Sequence, residues 1–243
     1  MILITGDTHG DLERLLFPNE LNKDDYLIIC GDFGGVWSGS EKERERNNRL
    51  CNILPYTLLF VDGNHENFDA LKEYPVTEWC GGKVQIIAKD VIHLMRGQVY
   101  TIEGKKIFTF GGASSHDIDD GILDPNDPEF YEKKLLLDKT FGMYRINHFS
   151  WWEEELPSQE EMDEGIRNLE ANDWNVDLII SHCAPTSMLG VLGNGLYKPD
   201  RLNDYLETIR QRCSFKHWYF GHYHINQSLD PQFTVLYYRI KEI

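Results

Sequence analysis

The chain has 243 residues, enough for one large domain with its own hydrophobic core. Apolar residues make up 41% and charged residues 26%, the balance of a soluble globular protein rather than a disordered one. The formal net charge of -16 repels phosphate backbones and anionic lipid. It counts against nucleic-acid and membrane partners, yet leaves room for a small anionic substrate wherever bound cations reverse the field locally.

The first element, Ile2–Thr5, is an apolar β-branched run that starts almost at once. It has neither the basic start nor the long apolar core of a signal peptide, and no later run reaches the length of a membrane span. Asp11–Phe17 has a short helical pattern. Strands are predicted at Tyr26–Cys30 and Thr57–Val61, with a helix at Glu41–Leu54 between them. The closely spaced runs Val84–Ile87, Val91–Leu94, Val99–Ile102 and Lys106–Phe110 read as an antiparallel meander, with Gly104-Lys105 as one hairpin turn. Ser114–Glu129 is acidic and without period, and Thr140–Pro157 is rich in aromatics. Ser158-Gln159-Glu160-Glu161 fits a capping box that opens a helix to Ala171. Then come a strand at Leu178–Ser181, a glycine-rich loop at Gly190–Pro199, a helix at Asp200–Arg212, and strands at His217–Phe220 and Phe233–Tyr238.

Strands that alternate with helices imply an α/β fold, and two packed mixed β-sheets with helices on the outer faces satisfy the pattern. Neither a linker nor a repeat divides the chain, so a single domain over residues 1–243 is expected. The five cysteines (Cys30, Cys51, Cys80, Cys183 and Cys213) are odd in number and lack C-x-x-C spacing, so neither a disulfide framework nor a thiolate zinc site is expected. A reducing cytoplasm is the expected location.

Five short segments hold most of the chemistry-bearing residues. They are Gly6-Asp7-Thr8-His9-Gly10, Gly31-Asp32, Gly63-Asn64-His65-Glu66, Ser181-His182 and Gly221-His222-Tyr223-His224. Each follows a predicted strand, and residues just past the carboxyl ends of strands converge on one edge of an α/β sheet. Taken singly, each has an ordinary structural reading as a turn or a helix cap. Together they form a set of carboxylates, one carboxamide and imidazoles, which suits divalent Mn, Fe or Zn. Asp-x-His and His-x-His place two ligands on one side of an extended segment. Seven ligands (Asp7, His9, Asp32, Asn64, His182, His222 and His224) exceed one tetrahedral ion and suit two divalent metal ions roughly 3.5–4 Å apart. Two such cations generate hydroxide from a bridging water at neutral pH and neutralise charge on phosphoryl oxygens.

The five segments, in this order, resemble the motifs D-x-H, G-D, G-N-H-[DE], H and G-H-x-H of the calcineurin-like metallophosphoesterase superfamily. The match runs from Asp7 to His224, nearly the whole chain. The resemblance implies a four-layer α/β/β/α sandwich and hydrolysis of a phosphomonoester or phosphodiester. It implies that Asp7, His9, Asp32 and His224 hold the first ion, and that Asp32, Asn64, His182 and His222 hold the second, with Asp32 shared. It also implies that His65 is a non-ligand general acid for the leaving oxygen.

The protein-phosphatase branch continues its second motif as G-D-x-x-D-R-G, whereas this chain reads Gly31-Asp32-Phe33-Gly34-Gly35-Val36-Trp37. The Asp that would orient His65 and the phosphate-binding Arg are both missing. Arg96 and Arg145 are candidates for phosphate contact, since a guanidinium pairs bidentately with phosphate. Trp151 and Trp152, with Tyr144 nearby, are candidates for stacking on a nucleobase. Gly111-Gly112-Ala113-Ser114 reads either as a plain tight turn or as backbone that approaches a ligand. The charged runs Glu41–Arg46 and Glu153–Glu155 are expected to be solvated. A small or nucleotide-like phosphoester is the favoured substrate. The alternatives are a nuclease or protein phosphatase of the same superfamily, and a non-catalytic protein-binding scaffold.

Overall fold

The apolar runs form strands covered on both faces, which is why they are continuous rather than alternating. A computed structural model describes residues 1–16, 21–193 and 195–243. Among these described residues the strands are β1 Ile2–Thr5, β2 Tyr26–Ile29, β3 Thr57–Phe60, β4 Val76–Trp79, β5 Gly82–Ala88, β6 Val91–Leu94, β7 Gln98–Ile102, β8 Lys105–Phe110, β9 Ile122–Leu123, β10 Arg145–Ile146, β11 Leu178–Ser181, β12 His217–Phe220, β13 Gln227–Ser228, β14 Phe233–Val235 and β15 Lys241–Glu242. The helices are α1 Glu41–Ile53, α2 Phe68–Lys72, α3 Phe130–Thr140, α4 Gln159–Glu170, α5 Thr186–Gly193 and α6 Arg201–Arg212.

The larger sheet has the order β15-β1-β2-β3-β6-β5-β4, and the second runs β13-β14-β12-β11-β8-β7. Both are mixed. β1, β2, β3 and β6 are parallel in one, and β8, β11, β12 and β14 in the other. β9 and β10 form a short ribbon of their own.

Alternation along each strand divides the core into layers. Ile2, Ile4, Ile28 and Leu59 meet Ile107, Leu178, Ile180 and Tyr219 between the sheets. Leu3, Leu27, Ile29, Leu58 and Phe60 point outward onto Leu50 and Cys51 of α1. On the opposite outer face, Phe108, Phe110, Ile179 and Trp218 pack under α4 and α6, which supply Met162, Leu169, Leu202, Leu206 and Ile209. Each fully buried aliphatic side chain contributes about 1.5–3 kcal/mol. The layers are therefore α/β/β/α, as the sequence implies. The helices start where their caps say: Ser158 and Glu161 form the expected capping box, and Asp200 and Asn203 form a second one.

Several expectations change. The runs from Val84 to Phe110 are two hairpins in different sheets, β5–β6 and β7–β8, rather than one meander. The three-residue link Met95-Arg96-Gly97 crosses between the sheets, with Gly97 at φ +71° and its N–H donating to the Thr109 carbonyl. Asp11–Phe17 gives only a 3-10 turn at Glu13–Leu15, and Phe17 lies outside the described residues. Gly190–Gly193 belongs to α5 rather than to a loop, and Asn194 lies outside the described residues. The last predicted strand stops at Val235. Glu155 is buried rather than solvated. Among the described residues no helix is long and apolar enough to cross a membrane.

Candidate metal centre

All five chemistry-bearing segments lie at the carboxyl ends of parallel strands. Three follow β1, β2 and β3 of the larger sheet, and two follow β11 and β12 of the second. The candidate centre therefore straddles the edge where the two sheets meet.

The backbone there is unusual. His9, Asp32, His222 and His224 all have left-handed backbone, at φ +46°, +49°, +69° and +51°. Such conformations cost of order 1–3 kcal/mol each and persist only where the surroundings enforce them. Two glycines show how tight the packing is. A Cβ at Gly31, itself at φ +102°, would overlap the His182 imidazole, and one at Gly63 would overlap the Asp32 carboxylate.

The ligand side chains are fixed by backbone groups of their neighbours. The Asp7 carboxylate accepts from the His222 N–H at 2.9 and 3.1 Å, and Asp32 Oδ1 accepts from the His65 N–H at 2.8 Å. His182 Nδ1 lies 2.7 Å from the Cys30 carbonyl, so that nitrogen donates there and Nε2 is the one turned to the centre. Nε2 faces Asp32 Oδ1 at 3.4 Å and Asn64 Oδ1 at 3.2 Å. His224 Nε2 lies 3.2 Å from Asp7 Oδ2 and 2.9 Å from His9 Nε2. Among the described residues three overlapping groups result, each with its donor atoms within 4.8 Å of one another: Asp7, His9 and His224; Asp7, Asp32 and His182; and His9, Asp32 and His65. Asp7, Asp32, Asn64 and His182 form a buried floor, while His9 and His224 are exposed at the rim.

The electrostatics fit cations. Burial lowers the pKa values of His9, His116 and His222, which keeps their lone pairs free. Burial also works against a charge on His182, but Asp32 and then Asp7 outweigh it and push His182 up to about 9. A divalent ion held by the same carboxylates would compete with that proton.

The centre opens into a cleft of about 350 Å³. Asn64, His65, His222 and His224 line it, and so does Arg145. The Arg145 guanidinium is gripped by Asp117 at 2.6 and 2.9 Å. Its terminal nitrogens lie 3.4 and 3.3 Å from the two ring nitrogens of His65, so it lies along the imidazole. Burial lowers the His65 pKa, with Arg145 adding to it against Asp32.

The other substrate-contact candidates are elsewhere. Arg96 is buried against Asp62, at 2.8 and 2.5 Å, and also donates to the Glu154 carbonyl. Trp152 is buried edge-on to Trp37 with its Nε1 donating to Asp69, and the half-buried Trp151 does not line the cleft. Gly111 and Gly112 run close against Asp62 rather than into the cleft, and the Gly112 N–H donates to the Asp62 carbonyl. The sequence reading passed over His116, Asp117 and Ser115. His116 Nε2 lies 2.7 Å from His222 Nε2, and His116 and Asp117 both line the cleft. The available signal was position: Ser-His-Asp follows the end of β8, just as the other segments follow theirs.

The calcineurin-like phosphoesterase family model matches residues 1–226. The chain belongs to this family. Relatives of this calcineurin-like phosphoesterase include the lariat debranching enzyme of Schizosaccharomyces pombe, 29% identical over 125 residues, which are 46% of this chain and 26% of the relative. The lariat debranching enzyme of Drosophila pseudoobscura pseudoobscura is 26% identical over 136 residues, 48% of this chain and 24% of the relative. The matched region spans about a quarter of either relative's length.

Proposed function

We propose that this chain, as one domain over residues 1–243, is a two-metal hydrolase of a small phosphoester. One observation carries the reading: seven nitrogen- and oxygen-bearing side chains from five strand ends gather around the mouth and floor of one cleft. Asp7, His9, Asp32 and His224 would hold one divalent ion, and Asp32, Asn64, His182 and His222 the other. When bound, such ions supply the acidity that turns a water into a nucleophile and the charge that neutralises phosphoryl oxygens.

The chain's own side chains supply the rest. Arg145, pre-set by Asp117, offers a guanidinium to a phosphoryl oxygen. His65 donates its proton to the departing oxygen as the P–O bond breaks, which yields a free alcohol. Burial first, and Arg145 with it, lower the His65 pKa. A phosphoryl group brings the negative charge that favours its protonated form. The same Arg145–Asp117 pair takes the orienting place of the Asp missing after Asp32.

Metal analysis of the purified protein, followed by a phosphoester panel with added Mn²⁺, tests the reading. Two ions per chain and turnover of at least one ester are expected. Absence of both would leave a scaffold. His65→Ala should lower kcat by roughly 10²–10⁴ on an alkyl phosphate. The loss should be far smaller on a nitrophenyl ester, whose leaving group needs no proton, and equal losses on the two would remove His65 from the acid role.

A phosphodiester reading is favoured by the lariat debranching enzymes among the relatives. The net charge of -16 opposes a long polyanion. Diester and monoester members of the panel separate the two readings.

A further inference from the structure

Ser115 stands beside the centre in a segment that none of the five motifs covers. Its N–H donates to Glu155 Oε1 at 2.9 Å, and its Oγ lies 2.7 Å from Glu155 Oε2 and 3.3 Å from Asn64 Nδ2. All three residues are buried. Burial raises the Glu155 pKa, and the two donations from Ser115 pull the other way.

The direction of this chain of bonds follows from counting protons. A serine hydroxyl has one proton, here directed at Glu155 Oε2, and a carboxylate that takes both Ser115 donations only accepts. Ser115 therefore gives its proton to Glu155 and turns lone pairs toward Asn64. Only the nitrogen end of the Asn64 amide satisfies those lone pairs. The amide oxygen must face the opposite way, where Oδ1 lies 3.2 Å from His182 Nε2. Hard and borderline cations are held by the oxygen of a carboxamide, not by its nitrogen.

We propose that Glu155, acting through Ser115, is a positioning residue that keeps the Asn64 oxygen turned toward the second ion. This inference rests on the two-ion reading above. Glu155 also accepts at its backbone carbonyl from the Ala113 N–H at 3.1 Å, so it holds the segment by main chain as well as by side chain. A mere brace and a polarity-setting group therefore need to be told apart.

Glu155→Gln does so. The variant keeps the side chain's size and still accepts from the Ser115 N–H. Where Oε2 stood it presents an amide N–H, which donates to Ser115 Oγ. The serine proton is then free to turn on Asn64 and favour the flipped amide. Ser115→Ala cuts the link without reversing it, and Ser115→Thr keeps the hydroxyl.

The experiment is a Mn²⁺ titration of metal-free wild-type and variant proteins, followed by calorimetry, with thermal melts to check folding. Wild type should take up two ions. Glu155→Gln should weaken the second roughly 10–100-fold, with the first changed far less, because Asn64 does not serve it. Ser115→Ala should weaken it less than Glu155→Gln does, and Ser115→Thr should match wild type. Wild-type affinity in both Glu155→Gln and Ser115→Ala overturns the inference, as does equal weakening of both ions in Glu155→Gln. If Glu155→Gln does not fold, Ser115→Ala against Ser115→Thr decides, and equal second-ion affinity in that pair overturns it. Wild-type protein that takes up no Mn²⁺ overturns the two-ion reading itself, and with it this one.

Discussion

The loops that carry the candidate metal ligands and the long excursion from residue 114 to 157 line the same cleft, yet they are built in opposite ways. In the ligand loops, left-handed residues, gapless glycines and buried strand ends leave little freedom. In the excursion, α3 buries no residue, and Tyr131, Phe141 and Phe149 are 81%, 92% and 69% exposed. Apart from the β9–β10 ribbon and the buried Trp152, its path is held by polar grips, such as Asp117 on Arg145 and Glu155 on Ser115. Close packing dictates residue type; a polar grip only asks for a partner within reach. The candidate ligands thus sit in the tightly packed half of the cleft wall, and Arg145 and Asp117 in the more exposed half.

Three substitutions test that contrast, from largest effect to smallest. Gly31→Ala adds a Cβ into the His182 ring at a left-handed position and should cost roughly 2–6 kcal/mol in urea denaturation. A loss below about 1 kcal/mol would mean that the ligand loops are less tightly determined than their geometry implies. Arg145→Ala should lower kcat/KM roughly 10–100-fold, about 1.4–2.7 kcal/mol, while Mn²⁺ uptake stays at the wild-type level. A fall in metal uptake of similar size would erase the division of labour between the two halves. Leu136→Gln, on the exposed side of α3, should leave stability within about 0.5 kcal/mol of wild type by thermal melt. A larger loss would show that α3 is packed against something in solution.

The same contrast explains what could be read in advance. β1, β2, β3, β11 and β12 are apolar because both faces are covered, and that pattern survives in one dimension. The five motifs were legible because each follows such a strand. α3 was not, because a helix that buries nothing has no apolar stripe to reveal it. The split of β6 and β7 between sheets hides behind a three-residue link that looks like a hairpin. Arg96 follows a strand as a ligand-binding arginine would, but the buried Asp62 claims its guanidinium. Ser115 and Glu155 meet only because the end of β8 lies against the segment before α4, a proximity that no local pattern encodes.

The bond from the His222 N–H to Asp7 joins residues 215 positions apart. During synthesis, Asp7, His9, Asp32 and Asn64 are all made early, but the centre they share with His182 and His222 stays open until the loop after β12 has left the ribosome. A cation held there would act as a late fastener, joining the first strand of one sheet to the last long strand of the other.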